Sequence, residues 1–171
     1  MTQQPRPLAS FDGDELYLDA MILEGFLRAR SRWHAASRQL FERAIDATRP
    51  IRLVTATLTV DEAVFVLLQE LLLEPPYAIA RSRSQYLSEN PAVVQELMAA
   101  IEGPVRGLLQ LLALEPVTAP DVVAMTTEMA ASGVLPRDAL HVAVMRRLGI
   151  RAIASDDDAF CRCAGISLFK P

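Results

Sequence analysis

The stretch PRDALHVAVMRRLGIRAIASDDDAF, residues 136–160, contains a helix, a strand and a group of acids in succession. Pro136 and Gly149 are residue types that mark the start and the end of a helix. RAIAS, which follows the glycine, is short and apolar, as expected of a buried strand. Three aspartates, Asp156 to Asp158, then end this strand abruptly. A helix that leads at once into a buried strand is typical of a parallel sheet covered by helices.

The same alternation of strands and helices extends along most of the chain. Short apolar or β-branched runs predict further strands, and helical patterns separate them; the runs are ELYLDAMIL (15–23), IRLVTAT (51–57), LALEPV (112–117) and ISLFKP (166–171). Residues 62 to 112 are the least regular part and suggest an elaborated helical hairpin beside the sheet. We predict right-handed βαβ units in a three-layer α/β/α domain, with a central parallel sheet of four to five strands.

Length and composition indicate one domain without a membrane span. The 171 residues are 51% hydrophobic, yet no apolar run reaches the roughly 18 residues that a spanning helix needs. We predict a flexible tail over residues 1–13 and a single domain over 14–171. The polar N-terminus shows no signal peptide, so we expect a cytoplasmic protein. The apolar excess favours a partner or self-association.

Charge and cysteine content exclude some classes of protein and leave others open. The net charge of −4 argues against a protein that coats nucleic acid, but 16 of the 17 basic residues are arginine, since Lys170 is the only lysine. Arg28, Arg30 and Arg32 lie close together and could contact phosphate or simply solubilise a helix. Cys161 and Cys163 are separated by one residue, which suits neither a disulfide nor a structural zinc site.

Acidic residues occupy four places where a parallel sheet would bring them together. Asp19 follows the first predicted strand and Asp156–Asp158 follow a later one, while Glu62 and Asp138 lie near the starts of helices. Ligands of such sheets bind beyond the carboxyl ends of the strands, and carboxylates are ligands for hard cations. Each acid also has a structural alternative. Glu62 could complete a capping box with Thr59, and Asp138 could stabilise the positive end of its helix.

The order YLDAMIL, TVDEAVFVL, LPRDALHVAVM and IASDDDAF resembles the four acidic motifs of PIN-domain nucleases, and most closely those of VapC-type toxins of toxin–antitoxin pairs. The resemblance runs from about residue 16 to 169. Matched motif by motif, Asp19, Glu62, Asp138 and Asp157 are the four acids, with Asp157 assigned by its distance from Phe160.

Two positions depart from the family pattern. Met21 stands where the family commonly has Ser or Asn, and Ser155 stands where Thr is frequent. The first change could weaken a hydrogen bond that orients Asp19. His141 lies where such helices often carry histidine, and we expect it to be packed and hydrogen-bonded rather than catalytic.

The resemblance implies a metal-dependent endoribonuclease. Asp19, Asp138 and Asp157 would hold Mg²⁺ or Mn²⁺, with Glu62 as a further ligand or a group that orients water. The implied partners are an RNA substrate, a small antitoxin protein and a second copy of the chain. An alternative stays open, in which a PIN-like scaffold binds RNA or protein without cutting. Two other classes fit poorly. A response-regulator receiver needs a lysine after its last-but-one strand, and the only lysine, Lys170, lies at the extreme end. A haloacid-dehalogenase phosphatase needs a second aspartate two residues after the first, where Met21 stands.

Overall fold

The computed structural model describes residues 4–46 and 48–171, which form six parallel strands and seven α-helices. The strands are β1 (Arg6–Pro7), β2 (Glu15–Leu18), β3 (Arg52–Ala56), β4 (Ala113–Glu115), β5 (Ala152–Ala154) and β6 (Ser167–Lys170). The helices are α1 (Ala20–Leu27), α2 (His34–Ala44), α3 (Thr57–Leu71), α4 (Arg83–Glu89), α5 (Pro91–Leu109), α6 (Ala119–Ser132) and α7 (Pro136–Leu148). Two 3₁₀ turns cover Leu8–Ser10 and Asp158–Arg162. The predicted α/β/α fold is confirmed.

The strand order is β1-β6-β5-β2-β3-β4, so β2 lies at the centre beside β5 and β3. Alternate residues of β2 pack on opposite faces of the sheet. Leu16 and Leu18 join a core with α1 and α2, whereas Tyr17 joins a second core with α7. Because helices cover both faces, Leu16, Tyr17 and Leu18 are all fully buried, and only Glu15 at the start of the strand is charged.

Helix α7 begins and ends where the sequence predicts. Pro136 occupies its first turn, and Gly149 terminates it with a φ of 76°, a backbone conformation that favours glycine. Helices α3 and α5 pack together through a third apolar cluster that includes Leu67, Leu72 and Ile101. The two helices that this cluster joins correspond to the predicted helical hairpin beside the sheet.

The N-terminal segment differs from the predicted tail. Arg6 and Pro7 pair with Phe169 and Lys170 of β6, and Leu8 and Phe11 are buried. These apolar side chains are stabilised by burial against the sheet edge, which is why the segment is attached to the domain. The sheet accordingly has six strands rather than four to five. Residues 1–3 of the predicted tail lie outside the described part of the chain.

The structural alternative for Glu62, a capping box with Thr59, does not occur. Helix α3 begins at Thr57, directly after β3, with Ala56 as its N-cap. Thr59 is therefore inside the helix and fully buried, and Glu62 lies in the second turn. A capping box does occur at Thr118 and Asp121 of α6, where both reciprocal hydrogen bonds are present.

The described residues contain no helix of sufficient length and apolarity to cross a membrane.

Candidate active site

The four predicted acids come from segments that meet at the carboxyl edge of the sheet. Asp19 directly follows β2 and is the N-cap of α1, and its N–H donates to the Ala154 carbonyl of β5 at 3.1 Å. Asp157 follows β5 and caps the second 3₁₀ turn. Glu62 lies on α3, which leaves the end of β3, and Asp138 lies in the first turn of α7.

Ser155 links the two aspartates that follow β2 and β5. Its hydroxyl donates to Oδ2 of Asp19 and accepts from the Asp157 N–H at 3.1 Å. The other Asp19 oxygen accepts from the Ala20 N–H at 2.6 Å. Ser155 is fully buried, whereas Asp19 borders a cleft and Asp157 is exposed. The orientation of Asp19 thus depends on Ser155, while Met21 packs against the apolar core.

Asp19 and Asp138 carry charge in surroundings that disfavour it. Burial raises the pKa of Asp19, and the nearby Glu62 raises it further, although His141 and Ser155 oppose the shift. Burial also raises the pKa of Asp138, followed by repulsion from Asp157 and, more weakly, from Asp19. Because each of these acids influences another, all four belong to one electrostatic cluster.

Glu62 differs from the other acids because His141 and Arg137 lie beside it. His141 and Arg137 hold the pKa of Glu62 below its usual value. An Arg137 guanidinium nitrogen lies 2.7 Å from Oε1, while Nε2 of His141 is 3.9 Å from Oε2, too long for a direct hydrogen bond. Nδ1 of His141 is 3.0 Å from the Tyr17 hydroxyl. His141 is therefore a buried, hydrogen-bonded residue, and its remaining nitrogen faces Glu62.

The three consecutive aspartates are not equivalent. Asp156 pairs with Arg32 at 3.1 Å and with Lys170 at 3.5 Å, and Asp158 pairs with Lys170 at 2.9 Å. Asp157 has no ion pair among the described residues, and its carboxylate accepts from the Ala159 N–H at 2.7 Å. The pairs offset the charges of its neighbours and leave that of Asp157 available for a ligand.

Comparison with known proteins identifies the family. The PIN domain profile matches residues 16–166, a span that contains all four acids. The chain belongs to the PIN domain family. This confirms the resemblance that the acidic motifs indicate. No curated protein sequence matches the chain significantly.

Solved structures share this PIN fold at low sequence identity. PAE2754 from Pyrobaculum aerophilum is 15% identical, with a TM-score of 0.56 over 90% of this chain and 83% of its own. FitAcB from Neisseria gonorrhoeae is 15% identical, with a TM-score of 0.53 over 90% and 96%. VapC20 from Mycobacterium tuberculosis, a toxin that cleaves the sarcin–ricin loop, is 20% identical, with a TM-score of 0.48 over 81% and 86%. At these identities, the similarity to PAE2754 and FitAcB shows the fold alone.

Two of the four acids of this PIN domain, Asp19 and Glu62, border a cleft of about 230 Å³. Seven residues line it: Asp19, Ala20, Met21, Glu24, Trp33, Glu62 and Val66. Sequence reasoning missed Glu24 and Trp33. The signal that could have found Glu24 is an acid within the otherwise apolar run AMILEGFL, because a buried carboxylate needs a partner.

The arginines expected to contact phosphate are engaged with the protein's own carboxylates. Arg28 contacts the buried Glu24 at 2.5 Å and Glu70 at 3.3 Å, and Arg30 contacts Glu74 at 3.4 Å. Arg28 is therefore a structural residue of the PIN domain. Arg32 also has an acidic partner, Asp156, but its side chain is 75% exposed.

The chemistry of the acidic cluster fits a hard divalent cation. All donors are carboxylate oxygens, and no Arg or Lys in the described chain forms an ion pair with Asp19, Asp138 or Asp157. Burial of unpaired carboxylates is costly, and a cation would offset that cost. No three His, Cys, Asp or Glu side chains of the described residues are already arranged as ligands of one ion.

Proposed function

We propose that this PIN domain is a metal-dependent endoribonuclease of the VapC toxin type, which hydrolyses phosphodiester bonds of RNA. The observation that carries the proposal is the selective lack of counter-charge. Among the described residues, Asp19, Asp138 and Asp157 lie in one electrostatic neighbourhood and form no ion pair with Arg or Lys, whereas Asp156 and Asp158 each pair with a basic residue. Membership of the PIN family supports the same conclusion.

The chain's own residues would hold and orient the reacting groups. Asp19, Asp138 and Asp157 would bind Mg²⁺ or Mn²⁺, and Ser155 would fix the rotamer of Asp19 through its hydrogen bond. A divalent cation at this position supplies positive charge that favours ionisation of water and stabilises charge on phosphate. Glu62, which stays ionised because its pKa is lowered, would complete the ligand set or accept a hydrogen bond from the attacking water.

An antitoxin partner is proposed from the cleft and its rim. Asp19 has no Arg or Lys partner among the described residues, and Phe65 and Val66 of α3 are 43% and 38% exposed beside Glu62. A small protein that presents an arginine flanked by apolar residues would complement both features. We also propose a homodimer, because Val123 of α6 and Leu135 are 70% and 71% exposed. The proposed site of action is the cytoplasm, where the RNA substrate is found.

One observation favours the non-catalytic alternative. Arg137 pairs with Glu62 at 2.7 Å, so one of the four acids already has a cation. In a scaffold that binds without cutting, this pair would be permanent and the remaining acids would attract a basic partner.

Cleavage of end-labelled RNA by the purified protein, in Mn²⁺ or EDTA, tests the proposal. Asp19→Asn is the matched variant, since asparagine can still cap α1 but supplies one fewer charge. We expect fragments in Mn²⁺ and none in EDTA or with the variant. Fragments that persist in EDTA or with Asp19→Asn would refute the metal mechanism. A folded wild-type protein that leaves RNA intact in Mn²⁺ would favour the scaffold.

A further inference from the structure

The only tryptophan of the chain, Trp33, lines the cleft together with Asp19 and Glu62. It lies in the loop between α1 and α2 and is partly exposed. We propose that Trp33 and Arg32 form a stacking platform for one unpaired base of a single-stranded RNA whose backbone crosses the carboxylates. This inference rests on the proposed ribonuclease function and specifies the class of substrate.

The platform begins with the position of the Trp33 backbone. A side chain at Gly25 would place its Cβ 2.9 Å from the Cβ of Trp33 and 2.6 Å from Oγ of Ser37, so glycine permits the loop to lie directly on α1. Nδ1 of His34 donates to the Gly25 carbonyl at 2.9 Å. The tryptophan is thus held against the helix that Asp19 caps.

A buried carboxylate fixes the rest of this loop. Glu24 is only 5% exposed, and its two oxygens bind Arg28 at 2.5 Å and the Ser31 hydroxyl at 2.8 Å. The Ser31 oxygen in turn accepts from the Trp33 N–H at 3.4 Å. A buried charge is costly unless it is paired, so the network stabilises one conformation of the loop. Trp33 is therefore placed in advance, which lowers the entropic cost of binding a base.

Arg32 completes the platform on the exposed side. Its guanidinium carbon lies 4.1 Å from the centre of the Trp33 ring, and Asp156 holds one of its nitrogens at 3.1 Å. The side chain remains 75% exposed, so most of its surface is open to a ligand. Guanidinium planes and aromatic rings are the surfaces on which proteins stack unpaired RNA bases.

The position of the platform determines which nucleotide it binds. Asp156, which holds Arg32, immediately precedes the metal-ligand candidate Asp157, and Trp33 shares the cleft with Asp19. A base on the platform would therefore be close to the phosphate that is cut. Bases in a duplex are stacked on their neighbours and cannot occupy such a surface, so the substrate must be unpaired there.

The experiment uses the fluorescence of Trp33, which reports on this site alone because the chain has no other tryptophan. Asp19→Asn protein in Mg²⁺ is titrated with a 5′-labelled single-stranded RNA of mixed sequence, and with the same RNA annealed to its complement. Anisotropy of the label measures binding and tryptophan emission measures contact. We expect saturable quenching by the single strand at the concentrations at which anisotropy rises, and weaker binding of the duplex.

Two substitutions at position 33 separate stacking from packing. Trp33→Phe keeps an aromatic face, whereas Trp33→Leu keeps apolar volume without one. We expect the phenylalanine variant to bind labelled RNA within about threefold of Asp19→Asn alone, and the leucine variant to bind about tenfold or more weakly. Thermal melting of both variants shows whether each is folded.

The inference is overturned if anisotropy rises without a change in tryptophan emission, or if a folded leucine variant binds as well as the phenylalanine variant. It is also overturned if labelled RNA fails to bind. Cleavage of RNA by the wild-type protein in Mn²⁺, measured separately, decides the proposed function. Cleavage with unchanged Trp33 fluorescence would refute the platform and leave the nuclease, whereas quenching without cleavage would refute the nuclease and leave an RNA-binding site.

Discussion

Asp157→Asn and Asp158→Asn make the same small change, a carboxylate to an amide, at adjacent positions. Comparing them tests whether Asp157 is a metal ligand. Asp157 has no ion pair in the described chain, and asparagine can accept the Ala159 hydrogen bond in its place. Asp158 is 72% exposed and pairs with Lys170. Asp157→Asn should therefore remove metal binding with little effect on the fold. Asp158→Asn should cost less than about 1 kcal/mol of stability and leave metal binding unchanged.

The effect on melting follows from linkage between binding and folding. At a free Mn²⁺ concentration about a hundred times Kd, binding stabilises the native state by about 2.7 kcal/mol, which raises Tm by about 5 to 11 °C in a domain of this size. If loss of a ligand weakens affinity about a hundredfold, the stabilisation falls to about 0.4 kcal/mol and the shift to about 1 to 2 °C.

Differential scanning fluorimetry in EDTA and in Mn²⁺ measures the shift for the wild type and both variants. We expect the full shift for the wild type and Asp158→Asn, and almost none for Asp157→Asn. Equal shifts in the two variants, whether both full or both absent, would refute the assignment of Asp157 as the ligand.

Three further predictions concern charges around the cleft. Asp138→Asn should raise Tm in EDTA at pH 7. The folded-state pKa of Asp138 is raised, so its ionisation destabilises the native state as pH rises through that pKa. The Tm difference between the variant and the wild type should therefore vanish near pH 3, where the aspartate is protonated, and melting curves recorded at several pH values measure it. Arg137→Gln should lower the Kd for Mn²⁺, because Glu62 then has no arginine to compete with the metal. Titration calorimetry measures this Kd, and an unchanged value would contradict the prediction. Glu24→Gln should lower the free energy of unfolding in urea by about 1 to 3 kcal/mol, whereas the exposed Glu42→Gln should change it by less than about 0.5 kcal/mol.

The fold could be predicted from the sequence because its signals are local. Helix α7 is bounded by Pro136 and Gly149, and the strands are short apolar runs between helical patterns. The β1 strand could not be predicted, because two residues at a sheet edge carry no periodicity and depend on pairing with β6. The start of α3 was misplaced because Thr59 and Glu62 match a capping pattern, while the chain enters the helix directly from β3.

The sequence selected four acids that the fold brings together, but it did not indicate their charge partners. The resemblance to the PIN family singled out Asp19, Glu62, Asp138 and Asp157, and the role of each as a metal ligand stays a prediction. Which acids have counter-charges depends on long-range pairs such as Lys170 with Asp158 and Arg137 with Glu62. The role of Arg28 was also misjudged, since a charged residue on an exposed segment gives no sign of the buried Glu24 beneath it.

The hydrogen bond between Ser155 and Asp19 joins residues 136 positions apart, and the central strand β2 pairs with β5 near the other end of the chain. During synthesis, β2 leaves the ribosome soon before its first partner, β3, but long before its second partner, β5. The nascent chain therefore cannot assemble the acidic cluster until β5 and Asp157 have emerged. A translation product that stops before Asp157 lacks one of the four acids, so it cannot form the complete cluster.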